Sequence, residues 1–168
     1  MPIQSILPRG ACVKLLDALK TTRIGVLGDF TLDGYWYADM TRSQLSRETP
    51  LFPRPVARET YSNGGAANVA WNLCDLGLGE VHAFTVLGAD WRGQLLRQSL
   101  AAAGVRMDSV VTAADWLTPF FGKVILTSGE IQQEDSRLDF INTHALPEEA
   151  LAALLQAVAT HPRDLVGM

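Results

Sequence analysis

The fold of this chain is decided by the stretch NGGAANVAWNL, residues 63–73, in which a glycine pair precedes a helical pattern. Apolar residues recur there at helical spacing, which predicts a loop followed by a helix. They are Ala66, Val69, Ala70, Leu73 and Leu76. Adjacent glycines can adopt positive φ and bring backbone N–H groups against a ligand. Because the first turn of a helix has unpaired donors and a partial positive charge, Gly64, Gly65 and Asn68 are predicted to hold a hydroxyl-rich or anionic small molecule.

A simpler interpretation of the same stretch needs no ligand. Gly64 and Gly65 would form only a tight turn, and Asn68 would be a capping or solvated residue on an ordinary amphipathic helix. This interpretation would be preferred for an isolated glycine pair, so the neighbouring motifs have to decide.

Composition and charge exclude several classes of protein. The 168 residues, 48% hydrophobic and 19% charged, suffice for one domain with a core. The net charge of -4 and the scattered Lys and Arg residues predict no nucleic-acid partner. No signal peptide and no membrane span of ~20 apolar residues is visible, which predicts a cytoplasmic protein without membrane contact. Cys12 and Cys74 lack metal-ligand spacing, so reduced thiols and no metal site are expected.

Alternating strand and helix patterns predict an α/β fold with a doubly wound parallel sheet. The pattern gives a helix at 11–20 that leans on the domain, strands at 23–29, 80–88 and 105–111, and helices at 91–103 and from Pro147 onward. Asp90 is predicted to cap the helix at 91–103. The last helix is expected to bury one apolar stripe, formed by Leu151, Leu154, Leu155 and Val158. Residues 163–168 read as the opening of another strand, which would leave an open sheet edge and favour association or poor solubility.

Two segments outside this alternation predict extended β structure, at about 34–61 and 119–141. Prolines at positions 50, 53 and 55 favour extended, edge-like backbone over helix. Residues 119–127 are predicted to pair with 131–140 across the turn at 128–130.

These motifs together resemble a known family. The glycine-pair stretch, with Gly77 after its helix and Val86-Leu87-Gly88 beyond, is similar to the amino-terminal signature of the ribokinase-like (PfkB) carbohydrate kinases. The upstream residues GDFTLDGYWY, 28–37, and the tetrapeptide RLDF, 137–140, resemble the heptose-phosphate kinase (ADP-heptose synthase) branch. The resemblance implies an incomplete ribokinase-like fold in which the β segments form a lid over the sugar and often pair into a homodimer.

The resemblance also implies an activity. Such kinases transfer the γ-phosphate of ATP, with Mg²⁺, to a sugar or sugar-phosphate hydroxyl, and heptose 7-phosphate is the favoured acceptor here. Asp33, near Asp29 beyond the first strand, is the preferred acceptor of sugar hydroxyl hydrogens, because one carboxylate can accept two of them. A turn aspartate before Gly34 is the alternative. Lys123 and Arg137 are candidates for contacting a substrate phosphate, against the alternative of solvated hairpin charges.

The family's second signature, a Gly-Ala-Gly-Asp element that supplies the base and the anion hole, does not occur in these 168 residues. We therefore expect residues 1–168 to be the amino-terminal portion of one kinase domain, with no catalytic residue, inactive alone and binding ATP and Mg²⁺ poorly. Homodimerisation through the lid, or association with a missing carboxyl-terminal half, would follow. Two other hypotheses stay open: a non-catalytic sugar-binding or dimerisation module, and a gene fragment without independent function.

Overall fold

A computed structural model describes residues 8–161 and 166–167, which form helices and strands in alternation. The helices are α1 (Arg9–Leu19), α2 (Gly65–Asp75), α3 (Trp91–Ala102) and α4 (Glu148–Thr160). The strands are β1 (Arg23–Leu27), β2 (Phe30–Asp39), β3 (Val56–Gly64), β4 (Glu80–Phe84), β5 (Val86–Gly88), β6 (Val111–Ala113), β7 (Phe120–Ser128), β8 (Ile131–Phe140) and β9 (Val166–Gly167). None of the described helices is long and apolar enough to cross a membrane.

The central sheet is parallel, with strand order β4-β1-β9. Strand β1 is short and is buried at Gly25 and Val26, and Val26 packs in the core with Val81 and Ala83 of β4. Helix α2 covers this sheet with its small buried residues Ala67 and Ala70. The α/β class with a parallel sheet is thereby confirmed. The predicted strand at 163–168 is seen only as β9, and its residues 163–165 and 168 lie outside the described residues.

A second sheet of four strands has the order β3-β2-β7-β8. Strands β2 and β7 are parallel, and the other two pairs are antiparallel. The predicted hairpin is confirmed as β7 and β8, which are joined at Gly129 with φ 60°. Because side chains alternate between the faces of a strand, Leu32 enters the core while Asp33 faces the other side. We call this second unit the four-stranded sheet.

Two strand predictions are wrong in detail. The predicted strand at 80–88 is interrupted at Thr85, so that β4 joins the central sheet and β5 pairs with β6 in a separate two-stranded sheet. The predicted strand at 105–111 is not formed, apart from an isolated bridge between Arg106 and His82. The chain turns instead, with Val110 N donating to Met107 O (3.1 Å), and β6 begins only at position 111.

Two helix predictions are right in position and wrong in packing. Helix α1 buries no residue, and Leu15 is 55% exposed, so it does not lean on the described part of the domain. In α4 only Ala150 is buried, whereas Leu155 of the predicted stripe is 59% exposed. Both helices are amphipathic as predicted, but within the described residues the apolar face of α1 and the Leu151, Leu155 and Val158 side chains of α4 remain exposed.

The carboxyl end of α4 is tied to the central sheet by a pair of histidines. The buried His82 contacts His161 Nε2 through Nδ1 (3.1 Å) and Glu80 Oε2 through Nε2 (2.9 Å). Glu80 also accepts a hydrogen bond from Arg23 Nε (2.9 Å). These hydrogen bonds, from His82 first and then Arg23, lower the pKa of Glu80 below its ordinary value.

Candidate functional site

An open cleft of about 380 Å³ lies where the β1–β2 connection, β2, α2 and the β7–β8 hairpin meet. Its lining residues come from these four parts of the chain. They are Asp29, Thr31, Asp33, Gly65, Phe121, Lys123 and Arg137. The structure thus brings together four of the six predicted site residues, with two acids near the amino terminus of α2 and two cations on the hairpin.

The glycine pair is required because β2 runs directly against the start of α2. Gly65 has φ 52°, and a Cβ there would lie 2.6 Å from the backbone oxygen of Asp29. That same oxygen accepts a hydrogen bond from Ala66 N (3.0 Å). At Gly64 a Cβ would lie 2.5 Å from Thr31 Oγ1 and 2.7 Å from Asp33 Oδ1. Gly64 therefore sits behind the Asp33 carboxylate rather than in the lining of the cleft.

The Asp33 carboxylate is placed where its negative charge is favourable. Gly64 is the N-cap residue of α2 and offers no side-chain cap, so the partial positive charge of the helix start faces the carboxylate. Within the part of the chain that the structure describes, no hydrogen bond to this carboxylate is formed. Both oxygens are therefore available to accept hydrogen bonds from hydroxyl groups of a ligand.

The two cations form a neighbouring pair on the hairpin side of the cleft. Lys123 and Arg137 are directly opposite each other on β7 and β8. Lys123 Nζ lies 5.3 Å from the centre of the Tyr35 ring, and the Arg137 guanidinium carbon lies 5.8 Å from that of Phe121. Adjacent like charges repel each other, so an anion bound between them would be stabilised by both.

One acid partly offsets this charge. Asp139 lies 3.4 Å from Arg137 Nη2, and both side chains are substantially exposed. Such an exposed ion pair contributes little. Arg137 therefore retains donors for a ligand.

Asn68 does not line the cleft that contains Asp33. It lines a second hollow of about 290 Å³ beside β3, together with Tyr61, Ser62, Asn63, Trp71 and Ser99. The reason is helical geometry, since Asn68 stands three residues beyond Gly65 and about 4.5 Å further along the axis. Its Oδ1 accepts a hydrogen bond from Asn72 Nδ2 (3.3 Å).

The second hollow nevertheless adjoins the cleft. Ser62, which lines it, is the strand partner of Asp33. The hollow is also lined by Tyr61, whose hydroxyl donates a hydrogen bond to Glu59 Oε2 (2.9 Å). The pKa of Tyr61 is raised, mainly because of burial. None of the side chains that line this hollow is charged, in contrast to the cleft.

Two members of the cleft were missed from sequence. Thr31 could have been found, because period-two alternation along β2 places it on the face of Asp33. Phe121 gave no local signal, since it reaches the cleft only through the pairing of β7 with β2.

The described residues do not provide a metal site. No group of three or more His, Cys, Asp or Glu side chains among them could hold a metal ion.

The glycine-pair helix and the β7–β8 hairpin lie within a stretch that matches a known family. Residues 37–160 match the sequence profile of the pfkB family carbohydrate kinases. This chain belongs to the pfkB family. Among curated relatives, the bifunctional protein HldE of Hydrogenovibrio crunogenus is 38% identical over 144 residues, which are 85% of this chain and 28% of the relative. The D-beta-D-heptose 7-phosphate kinase of Bordetella bronchiseptica is 39% identical over 94 residues, 56% of this chain and 29% of that kinase.

This chain covers only part of the length of its relatives and of the solved structures it resembles. This pfkB chain spans little more than a quarter of the length of the HldE proteins it matches. Arabidopsis thaliana ribokinase, solved with ribose and ATP, superposes with a TM-score of 0.54 at 20% identity, covering 71% of this chain and 36% of that one. A carbohydrate kinase from Agrobacterium tumefaciens gives 0.55 at 24% identity with the same coverage. The predicted ribokinase-like fold is confirmed for the part that this chain contains.

Proposed function

We propose that this chain is the sugar-binding part of an ATP-dependent carbohydrate kinase whose acceptor is a sugar phosphate, with heptose 7-phosphate favoured. One observation carries the proposal: a carboxylate at a helix start and a pair of cations line the same cleft. Asp33 and Tyr35 are two residues apart on β2, and Tyr35 is the strand partner of Lys123. Two strand residues span about 7 Å, which matches a sugar whose hydroxyls meet Asp33 and whose phosphate meets the cations.

Each predicted residue has a role in this proposal. Asp33 accepts hydrogen bonds from two sugar hydroxyls, and Gly64 and Gly65 let the backbone of α2 approach the sugar. Lys123 and Arg137 neutralise the phosphate already on the sugar. Asn68, at the mouth of the adjoining hollow, holds a hydroxyl that extends past β3.

The four-stranded sheet acts as the lid of this site, in the segments at about 34–61 and 119–141. Its face with Asp33, Lys123 and Arg137 covers the sugar and keeps water away from it. The opposite face packs on the core through Leu32 and Phe120, which are fully buried. One face of the sheet is thus fixed to the core, and the other face is free to bind and cover the substrate.

Phosphoryl transfer itself requires groups that this chain does not contain. It depends on a positioned base and on donors that stabilise the transferred phosphate. We propose that ATP, Mg²⁺ and these groups are supplied by the carboxyl-terminal half of a complete kinase domain. The chain alone then binds the acceptor sugar without phosphorylating it.

Calorimetry and a turnover assay test this proposal on the 168-residue protein. We expect heptose 7-phosphate to bind, ATP-dependent phosphorylation to be absent, and Asp33→Asn to weaken binding about tenfold, because one charge-assisted interaction is lost. Asp39→Asn is the matched control, since Asp39 ends the same strand and only caps a short turn through Thr41 N (3.1 Å). Unchanged affinity in Asp33→Asn, or turnover by the chain alone, would contradict the proposal.

We also propose that the exposed apolar faces mediate association. Leu155 is exposed on helix α4, which lies beside the central sheet. Leu138 is exposed on β8, which belongs to the lid. The first face fits a missing carboxyl-terminal half, and the second fits a homodimer through the lid.

Light scattering separates these two modes of association. The 168-residue protein is expected to be larger than a monomer, because apolar surface of this extent is rarely left open to water. Leu155→Glu restores the monomer if α4 is the contact, and Leu138→Glu restores it if the lid is. A monodisperse monomer of the unmodified chain would refute association altogether.

A further inference from the structure

The start of α3 is bonded directly to the base of the hairpin. Asp90 precedes the helix, and its Oδ1 accepts the capping hydrogen bond from Gly93 N (2.8 Å). Its other oxygen, Oδ2, accepts a hydrogen bond from Thr118 N (2.9 Å), two residues before β7. An N-cap alone needs only one of these oxygens. The second bond reaches across to a different part of the molecule.

Thr118 is held from a second direction. Its hydroxyl is the acceptor for Gly88 N (2.9 Å), and the residue is fully buried. A Cβ at Gly93 would lie 2.8 Å from that hydroxyl, so the helix start packs against Thr118 without a side chain between them. The segment that enters β7 is therefore fixed to both β5 and α3.

Arg92 makes a second connection from the same helix turn. Its side chain is only 12% exposed, and Nη1 lies 3.7 Å from Asp90 Oδ2. The guanidinium carbon lies 4.1 Å from the ring centre of Phe140 and 5.5 Å from that of Phe120. These rings are strand partners, the last residue of β8 and the first of β7. Arg92 Nε is buried and has no hydrogen-bond partner within the described residues, so the rings and Asp90 account for its position.

We infer that Asp90 and Arg92 are positioning residues that lock the base of the β7–β8 hairpin and thereby place Lys123 and Arg137 in the cleft. Lys123 follows Phe120 by three residues and Arg137 precedes Phe140 by three, which is about 10 Å along each strand. A change of tilt at the base moves both cations away from the acid side of the cleft. The phosphate-binding part of this inference rests on the proposed function, whereas the lock itself does not.

Hydrogen exchange on the 168-residue protein tests the lock without any ligand. Asp90→Ser keeps a good N-cap for α3 but cannot reach Thr118, and Arg92→Met keeps the apolar stem but removes the guanidinium. In each variant the amides of β7 and β8 are expected to exchange about tenfold faster, while those of β1 and β4 keep their rates. Arg97→Met is the control from the same helix, since Arg97 bonds Thr112 Oγ1 (2.6 Å) and not the hairpin. Unchanged exchange in the hairpin, or an equal increase in both sheets, overturns the lock.

A titration with inorganic phosphate tests the consequence for the cleft. Asp90→Ser and Arg92→Met are expected to weaken phosphate binding several-fold, with Lys123→Gln as the reference for losing a direct contact. If the unmodified protein binds no phosphate, the proposed role of the cations fails, and the exchange experiment still decides the lock. If phosphate binding persists unchanged in both variants, the hairpin base does not position the cations.

Discussion

Gly65→Ala is expected to lower the free energy of unfolding by about 2 to 4 kcal/mol, the largest effect of any single methyl group added near the cleft. Two costs combine at this position. The backbone has φ 52°, which residues with a Cβ adopt at a cost, and the new methyl carbon would lie 2.6 Å from the backbone oxygen of Asp29. Backbone cannot swing away as a side chain can, so the start of α2 has to separate from the end of β1.

Gly77→Ala is the matched control for this experiment. Gly77 has φ 82°, but a Cβ there would meet nothing within 4 Å. Its cost is the conformational one alone, about 1 kcal/mol. The free energies of unfolding of the two variants, measured by chemical denaturation, should therefore differ by the cost of the clash. Equal losses of stability would show that the start of α2 and the backbone of Asp29 do not approach as closely as described.

Local signals explain which parts of the fold could be predicted from sequence. The helix at Gly65 and the turn at Gly129 follow from glycines whose φ is positive in the structure. The cap at Asp90 follows from its position before an amphipathic run. Each of these features is decided by a few consecutive residues, so no knowledge of the tertiary structure was needed.

The errors arise where distant segments decide the outcome. Strand β5 leaves the central sheet because its partner is β6, and nothing near Thr85 in the sequence shows that change of partner. Leu155 has the right helical spacing for a buried stripe, yet burial requires a covering element that the described residues do not contain. Asn68 was grouped with Gly64 and Gly65 because all three lie at the start of a predicted helix, while the turn of the helix directs it into the adjoining hollow.

In the cleft, too, local sequence signals found some residues, and contacts between distant segments were missed. Asp33 and Gly65 were found from the sequence around them, and the pairing of Thr31 with Gly64 across β2 and β3 brings them into the same cleft. Asp90 was predicted only as a helix cap. The bond from Thr118 N to its other carboxylate oxygen joins residues 28 positions apart, so no local pattern indicated it. Sequence spacing reveals partners within a helix or hairpin and leaves such long-range bonds to the structure.

Replacing Lys123 and Arg137 together by glutamine is expected to weaken the binding of heptose 7-phosphate about a hundredfold, while a heptose without phosphate binds as before. Each cation contributes one charge-assisted interaction with the phosphate, worth about tenfold in affinity at this partly exposed site. Glutamine retains hydrogen-bond donors but removes the charge. The change therefore tests neutralisation of the phosphate rather than the shape of the cleft.

Arg58→Gln provides the control on the same sheet. Its guanidinium carbon lies 3.7 Å from the ring centre of Tyr37, and Arg58 does not line the cleft. Calorimetry with both sugars should therefore show no change in this variant beyond about twofold. If the double variant lost affinity equally for both sugars, Lys123 and Arg137 would be supporting the cleft structurally. The proposal that they select a phosphorylated acceptor would then be wrong, because only a charged group on the ligand can distinguish the two sugars at that end of the cleft.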